Sequence, residues 1–154
     1  MRRSNREISD IQEVEKIIQK ADVCRIALAN GNVPYIVTMN FGYVNDPERT
    51  LFFHCATEGK KLEMIRQNNY VCFEMDTDHQ IFSGIRSCDW GMKFSSIIGY
   101  GNIFIVTDKE EKIAGLNRIM THYGGESEYS YDENILEKTI ILRLDIKEMT
   151  GKKC

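Results

Sequence analysis

The stretch LFFHCATEGKKLEMI, residues 51–65, changes character halfway along. Its first half is an apolar run rich in aromatic residues, which is typical of a buried strand. In its second half apolar residues recur at helical spacing and predict a short helix over residues 60–67. The chain therefore passes from strand to helix at Gly59, Lys60 and Lys61.

The two lysines lie where the start of this helix is predicted. A helix dipole is positive at that end, so each exposed cation there costs roughly 0.3–1 kcal/mol. A bound phosphate would reverse the sign, because free backbone N–H groups and both lysines would then bind it. Gly59 would permit close approach of the backbone. The alternative is a solvated lysine pair on a helix surface, and the residues alone leave both readings open.

Outside this stretch the chain predicts five further strands and three further helices. A capping box at residues 9–12 starts a first helix that ends near Lys20. The dipeptide Asn30-Gly31 between two alternating runs predicts a hairpin. The predicted strands cover residues 23–29, 33–44, 50–55, 70–75, 94–106 and 139–149; the later helices cover 108–123 and 132–138, and 76–92 is either loop or strand.

This order of elements predicts an α+β protein that is predominantly β, with an antiparallel sheet closing into a barrel. Gly99 and Gly101 inside a long β-rich run predict a bulge or a closely approached backbone. The chain lacks β–α–β alternation and has no G-x-G-x-x-G motif after a strand, which argues against a dinucleotide-binding fold. No Pro/Gly/Ser-rich linker divides residues 1–154, so we expect a single domain.

Charge and cysteine content limit the possible functions. Twenty basic and 23 acidic residues give a net charge of −3, which argues against a nucleic-acid partner. Three arginines near the N-terminus, Arg2, Arg3 and Arg6, have no apolar stretch behind them, so we interpret this segment as a flexible tail or a dimer contact rather than a signal peptide. No apolar run is long enough to span a membrane. The five cysteines include no C-x-x-C pair, which favours reduced thiols in a cytoplasmic protein.

A few polar and aromatic residues are candidates for ligand contacts. His54 precedes the basic helix start, so it either touches a ligand or is a satisfied barrel histidine. Cys55 would point to the opposite face and is interpreted as packing; no metal site is predicted, because the spacing of ligands is absent. Trp90 either stacks on a planar ligand or packs in the core or an interface. Ser95 and Ser96 either donate hydrogen bonds to a ligand or are ordinary polar strand positions.

Several segments together resemble a known family. They are CRIALANGNVPYIVTMNFGY, LFFHCATEGKKLEMI, VCFEMD, KFSSIIGYGNIFIV, KEEKIAGLNRIMTHYGG and EMTGKKC, in that order. This arrangement resembles the pyridoxamine 5′-phosphate oxidase-like, FMN-binding split-barrel superfamily, and within it the 5-nitroimidazole antibiotic resistance (Nim) proteins. The specific part is Phe-His-x-Ala-x-Glu-Gly-Lys-Lys at residues 53–61. The resemblance covers nearly the whole chain and implies a six-stranded antiparallel split β-barrel with peripheral helices, forming a homodimer with FMN at the interface.

The resemblance also implies a set of cofactor contacts. The FMN phosphate would rest near Gly59, Lys60 and Lys61. The other implied contacts are Val37, Thr38, Met39 and Asn40 along the isoalloxazine; His54, Cys55 and Ala56 between ring and phosphate; and Ser95 and Ser96 on a strand near the cofactor. Trp90 and Lys152 would approach from the partner subunit.

The implied function is FMN-dependent reduction of nitro-aromatic or related small molecules. In Nim-type proteins the residue matching His54 lies close to the flavin and the substrate pocket, so His54 would orient a nitro group or donate a proton. One alternative is a flavin-binding protein without turnover, acting in storage, sensing or electron shuttling. Another is a haem-handling split barrel with a histidine ligand. Vitamin B6 oxidation is not expected, because the chain lacks a C-terminal Arg/Trp-rich stretch.

Overall fold

A computed structural model describes residues 6–154. Of the three arginines for which a tail or dimer contact was predicted, Arg2 and Arg3 lie outside the described residues, and the Arg6 guanidinium donates to Cys154 Sγ at 3.1 Å within the chain. The strands are β1 (Glu7–Ile8), β2 (Cys24–Asn30), β3 (Val33–Met39), β4 (Phe41–Val44), β5 (Thr50–Ala56), β6 (Tyr70–Phe82), β7 (Gly91–Val106) and β8 (Thr139–Lys153). The helices are α1 (Ile11–Lys20), α2 (Lys60–Gln67), α3 (Lys109–Gly124) and α4 (Glu133–Glu137).

All strand pairs are antiparallel, in the order β3-β2-β6-β7-β8-β5-β4, with β1 added to β8. β3 and β4 are separated by Asn40 alone, yet they lie at opposite ends of this order. Because the chain crosses from one edge to the other at Asn40, the sheet closes on itself and remains split along the free edge of β3. The predicted antiparallel split barrel is confirmed. The described residues form eight strands rather than six, because of the break at Asn40 and the two-residue strand β1.

Residues 76–92, for which the sequence left loop and strand open, form most of a hairpin between β6 and β7. β6 continues to Phe82 and pairs with the start of β7, across a bulge between Thr77 and Gln80. Asp78 lies in this bulge with a left-handed φ of 61°. The Gly, Ser and Asp residues of this region have low strand propensity, so the sequence did not predict these strands. They form because the two halves of the hairpin pair with each other.

The inward positions of the barrel strands form the core, with Phe41, Phe53 and Phe73 fully buried. α1 and α2 add their apolar faces to the same cluster. On the outside of β4 and β5, α3 packs against Phe52 in a second, smaller cluster. The predicted irregularity at the glycines of β7 is confirmed: a register shift separates Tyr100 from the residue after it.

The outward side of β2, β3, β6 and β7 keeps apolar side chains in contact with solvent. We call this the outer sheet face; its exposed apolar members are Ile36, Tyr70, Ile98 and Tyr100. Ile36 is 65% exposed and Ile98 is 47% exposed. Groups of exposed apolar side chains are found more often at protein interfaces than on free surfaces.

Candidate functional site

Three segments of the chain lie near one another at the split in the barrel. Phe41 pairs with Phe53, so Asn40 lies beside His54, one position further along the two strands. The Lys60 Nζ lies 4.7 Å from the centre of the Tyr35 ring, which brings the start of α2 against β3. The split cleft is defined here by residues Val37–Asn40, His54–Ala56 and Gly59–Lys61.

The start of α2 has the properties of an anion site. Gly59 has φ 131°, a conformation that favours glycine, and there is open space within 4 Å of where a Cβ would stand. No side chain caps the helix. The N–H groups of Lys60 and Lys61, in the first helical turn, have no partner within the helix. Uncapped N–H donors and a positive helix end therefore lie next to the open space at Gly59, with the Lys60 ammonium group over the Tyr35 ring of β3 and Lys61 following it in the first turn.

Side chains in the cleft alternate between core and solvent. His54 and Ala56 are exposed, whereas Cys55 between them is buried. The prediction that His54 and Cys55 point to opposite faces, and that Cys55 packs in the core, is thus confirmed. Burial raises the pKa of the Cys55 thiol, partly offset by the nearby Lys61 charge, so this thiol stays protonated and a poor nucleophile.

The same alternation applies to β3. Thr38 and Asn40 expose their side chains, whereas Met39 is buried and Val37 packs against the core. A ligand in the cleft would therefore meet the side chains of Thr38, Asn40 and His54, but the main chain of Met39. Because β3 pairs on one side with β2, its other edge keeps backbone donors and acceptors available.

Tyr123 lies next to the split cleft and contacts the chain beside Asn40, which the sequence did not indicate. Its hydroxyl accepts a hydrogen bond from the Phe41 backbone N–H (3.2 Å) and donates one to the Asp22 carbonyl (2.7 Å). These contacts fix the bend at Asn40 from the end of α3. The sequence offers no signal for this role, because Tyr123 closes an ordinary amphipathic helix about 80 residues further along the chain.

The remaining predicted contacts lie on another part of the sheet. Ser96 pairs with Lys152 on one side and Asp76 on the other, near the start of β7. β2 and β6 lie between β7 and β3, a separation of about 14 Å at ordinary strand spacing. Trp90 lies beyond Ser96 in the hairpin, 58% exposed, and its indole N–H donates to the Gly84 carbonyl at 3.0 Å.

Ser95 faces the interior, on the side of β7 opposite to Ser96, and is 4% exposed. One chain therefore does not bring Trp90, Ser95, Ser96 or Lys152 to the start of α2.

The antiparallel split barrel and its basic cleft define the class of protein, and the comparisons with known proteins identify the family. The family model for pyridoxamine 5′-phosphate oxidase matches residues 10–153. The chain belongs to this family. A comparison with curated proteins gave no significant match.

Solved structures agree with this assignment. A candidate 5-nitroimidazole antibiotic resistance protein from Bacteroides thetaiotaomicron is 34% identical over 96% of this chain and 86% of its own, with a TM-score of 0.83. The FAD and heme binding protein from Mycobacterium smegmatis is 14% identical over 96% of this chain and 73% of its own, with a TM-score of 0.84. At that identity the likeness establishes a shared fold alone.

Two further observations concern the described part of the chain. Within residues 6–154 no helix combines the length and apolar character that crossing a bilayer requires. The same residues contain no group of three or more His, Cys, Asp or Glu side chains placed to hold a metal ion. All five cysteines are free thiols, as the sequence predicted.

Proposed function

We propose that the chain binds FMN in the split cleft and acts as an oxidoreductase on nitro-aromatic or related small molecules. The observation that carries this proposal is the uncapped start of α2, where open space at Gly59 adjoins Lys60 and Lys61 and the Lys60 ammonium group lies against Tyr35 of β3. Support also comes from the Bacteroides relative, whose name refers to nitroimidazole resistance, and from a Mycobacterium smegmatis structure named as a FAD binding protein. A reducing, cytoplasmic setting would suit the free thiols.

The residues of the chain have separate tasks in this proposal. Lys60, Lys61 and the first N–H groups of α2 hold the phosphate by charge-assisted hydrogen bonds. The free edge of β3 meets the polar edge of the isoalloxazine with its main chain and with Thr38 and Asn40. Bound flavin would supply the hydride, and the protein would bind the cofactor, orient the substrate and shield the reaction from competing acceptors. The exposed imidazole of His54 donates a proton or a hydrogen bond to a nitro oxygen as negative charge develops there.

We also propose a homodimer, in which the outer sheet face of one subunit covers that of its partner. The exposed apolar side chains of that face support this arrangement. A partner would also account for the second group of predicted contacts, since Trp90, Ser96 and Lys152 would reach the cleft of the other subunit. Ser95 points away from this face, so its side chain would not take part.

The dimer makes Ile98→Arg a disruptive substitution. The cross-strand neighbour of Ile98 on β6 is Glu74, which already pairs with Arg25, so the added guanidinium would enter the interface without a carboxylate of its own, and we expect dissociation to monomers and loss of bound flavin. Sedimentation velocity measures the change directly. The matched control is Val33→Arg, because Val33 is equally exposed, at 54%, but lies at the β2–β3 turn. Ile98→Arg protein that sediments like the wild type would remove this face from the proposed interface.

The visible absorption spectrum of the purified protein tests the proposed cofactor. We expect a flavin spectrum, with FMN rather than FAD released on heating. Under anaerobic conditions the reduced flavin should be reoxidised faster by a nitroimidazole than by buffer. A colourless protein that takes up no added FMN would contradict flavin binding, and a flavin that no acceptor reoxidises would favour the storage or electron-shuttle alternative.

His54→Ala should lower the rate of nitroimidazole reduction by about 100-fold, the lower end of the usual contribution of a positioned proton donor. FMN affinity should change by no more than a few-fold, because in this proposal Lys60, Lys61 and the first N–H groups of α2, and not His54, would hold the phosphate. Stopped-flow reoxidation and FMN titration measure the two quantities. The control His54→Gln retains a hydrogen-bond donor and should recover part of the rate; undiminished turnover in His54→Ala would exclude His54 from the reaction.

Haem handling is the second candidate, favoured by the heme-binding relative from Mycobacterium smegmatis. His122 is engaged with the Ala21 carbonyl (2.8 Å) and His79 with Asp76 (2.7 Å), which leaves His54 as the best placed ligand among the described residues. A Soret band on haem titration that His54→Ala abolishes would establish this function.

A further inference from the structure

A cavity separate from the split cleft lies where α1 packs against the sheet. It has a volume of about 230 Å³ and is lined by residues of α1, β1, β6, β7 and β8. We call it the basic cavity, because Lys16 and Lys20 from α1 meet Lys153 from β8 there. Ile8 and Ile17 form its apolar wall. None of its lining residues belongs to the split cleft.

A buried hydroxyl faces this cavity. Ser95 is 4% exposed and lines the basic cavity, on the interior side of β7. No hydrogen bond to its side chain forms among residues 6–154. The hydroxyl oxygen itself stays open to the cavity, since Arg143 Nε is the one side-chain polar atom among the described residues that is fully buried without a partner. A hydroxyl open to a cavity and without a protein partner is free to donate to a molecule bound there. Ser95 thus points to a hydrogen-bonding occupant of the cavity.

The charges around Ser95 favour an anion. Asp78 is engaged by the Lys20 ammonium group, which holds the pKa of that carboxyl below its usual range. Among the described residues no carboxylate forms an ion pair with Lys16 or Lys153. Glu13 also lines the cavity, so three lysines face two carboxylates and one positive charge is left over. An oxyanion would balance that charge.

We propose that the basic cavity binds a small molecule through an oxyanion group, a phosphate or a carboxylate. The Ser95 hydroxyl donates a hydrogen bond to the oxyanion, and Lys16 and Lys153 supply the opposing charge. Ile8 and Ile17 contact the apolar part of the ligand next to that group. The site does not depend on flavin binding, because the cleft residues Gly59–Lys61 take no part in it.

Methyl NMR on isoleucine-labelled full-length protein tests the proposal with sodium phosphate and sodium butyrate as probes, at constant pH and ionic strength. We expect saturable shifts of the Ile8 and Ile17 methyl signals with at least one probe. Ile135, exposed on α4, serves as the internal reference and should not move. Saturation by phosphate identifies a phosphate site, saturation by butyrate a carboxylate site, and saturation by both a general oxyanion site.

Variants decide whether the named residues form the site. Ser95→Ala combined with Lys153→Met should weaken probe binding at least about tenfold, since two charge-assisted contacts are lost. Lys16→Met is a second variant at an exposed helix position and should also weaken binding. Lys138→Met, just before the opposite end of β8, is the charge-matched control and should bind like the wild type. Absence of a saturable shift with both probes, or unchanged affinity in both variants, would overturn the proposal. FMN retention should be unaffected throughout.

Discussion

Replacing both Lys60 and Lys61 with alanine is expected to weaken FMN binding by about 1,000-fold, the largest effect we expect on the cofactor. Each charge-assisted contact to phosphate contributes roughly 1.5–3 kcal/mol, and 1.4 kcal/mol is a factor of ten in affinity. Two such contacts are removed at one helix end. Titration of apoprotein with FMN, followed by the quenching of flavin fluorescence, measures the loss.

The fold should tolerate this double substitution. Two cations leave the positive end of α2, which favours the helix slightly, whereas Lys60 loses its contact with the Tyr35 ring. These effects nearly cancel, so the melting temperature of the apoprotein should stay within a few degrees. Arg66→Ala with Lys138→Ala is the control, because it removes the same charge away from the cleft. Full flavin occupancy in the Lys60/Lys61 variant would show that the phosphate lies elsewhere.

Local patterns in the sequence were sufficient for the elements that depend on near neighbours. The bounds of α2 match the predicted 60–67, since apolar spacing and Gly59 define that helix by themselves. The Asn30-Gly31 turn joins β2 to β3 as predicted, with a φ of 56° at Gly31. Both features are determined by a few consecutive residues.

The features that the sequence did not predict depend on distant contacts. The sequence predicts one continuous strand over residues 33–44, but the structure divides it at Asn40. The first half, β3, pairs with β2 and the second half, β4, pairs with β5. Neighbouring residues of a strand point to opposite faces, but which of Ser95 and Ser96 points inward follows from the pairing of β7 and was open until that pairing was known. The contact between Lys60 and Tyr35 likewise joins residues that no local pattern connects.

A small change at Gly42 should damage the fold, because α3 rests directly on this residue. A Cβ at this position would lie 2.3 Å from the Arg118 carbonyl carbon and 2.4 Å from the Ile119 nitrogen, both backbone atoms of the helix. Real Cβ contacts are almost never shorter than 3.0 Å, so α3 would have to move away from β4. We expect Gly42→Val to lower the free energy of unfolding by about 3 kcal/mol or more, measured by urea denaturation.

The displacement would also reach the split cleft. α3 carries Tyr123, whose hydroxyl accepts from the Phe41 N–H beside Asn40, so a shifted helix releases the bend that shapes the free edge of β3. Gly42→Val should therefore weaken FMN binding as well as stability. Ala114→Val, on the exposed side of α3, adds the same side chain at a helix position and should cost less than about 1 kcal/mol. If the two variants unfold at the same urea concentration, α3 is not held against β4 as closely as Gly42 requires, and Tyr123 does not fix the cleft.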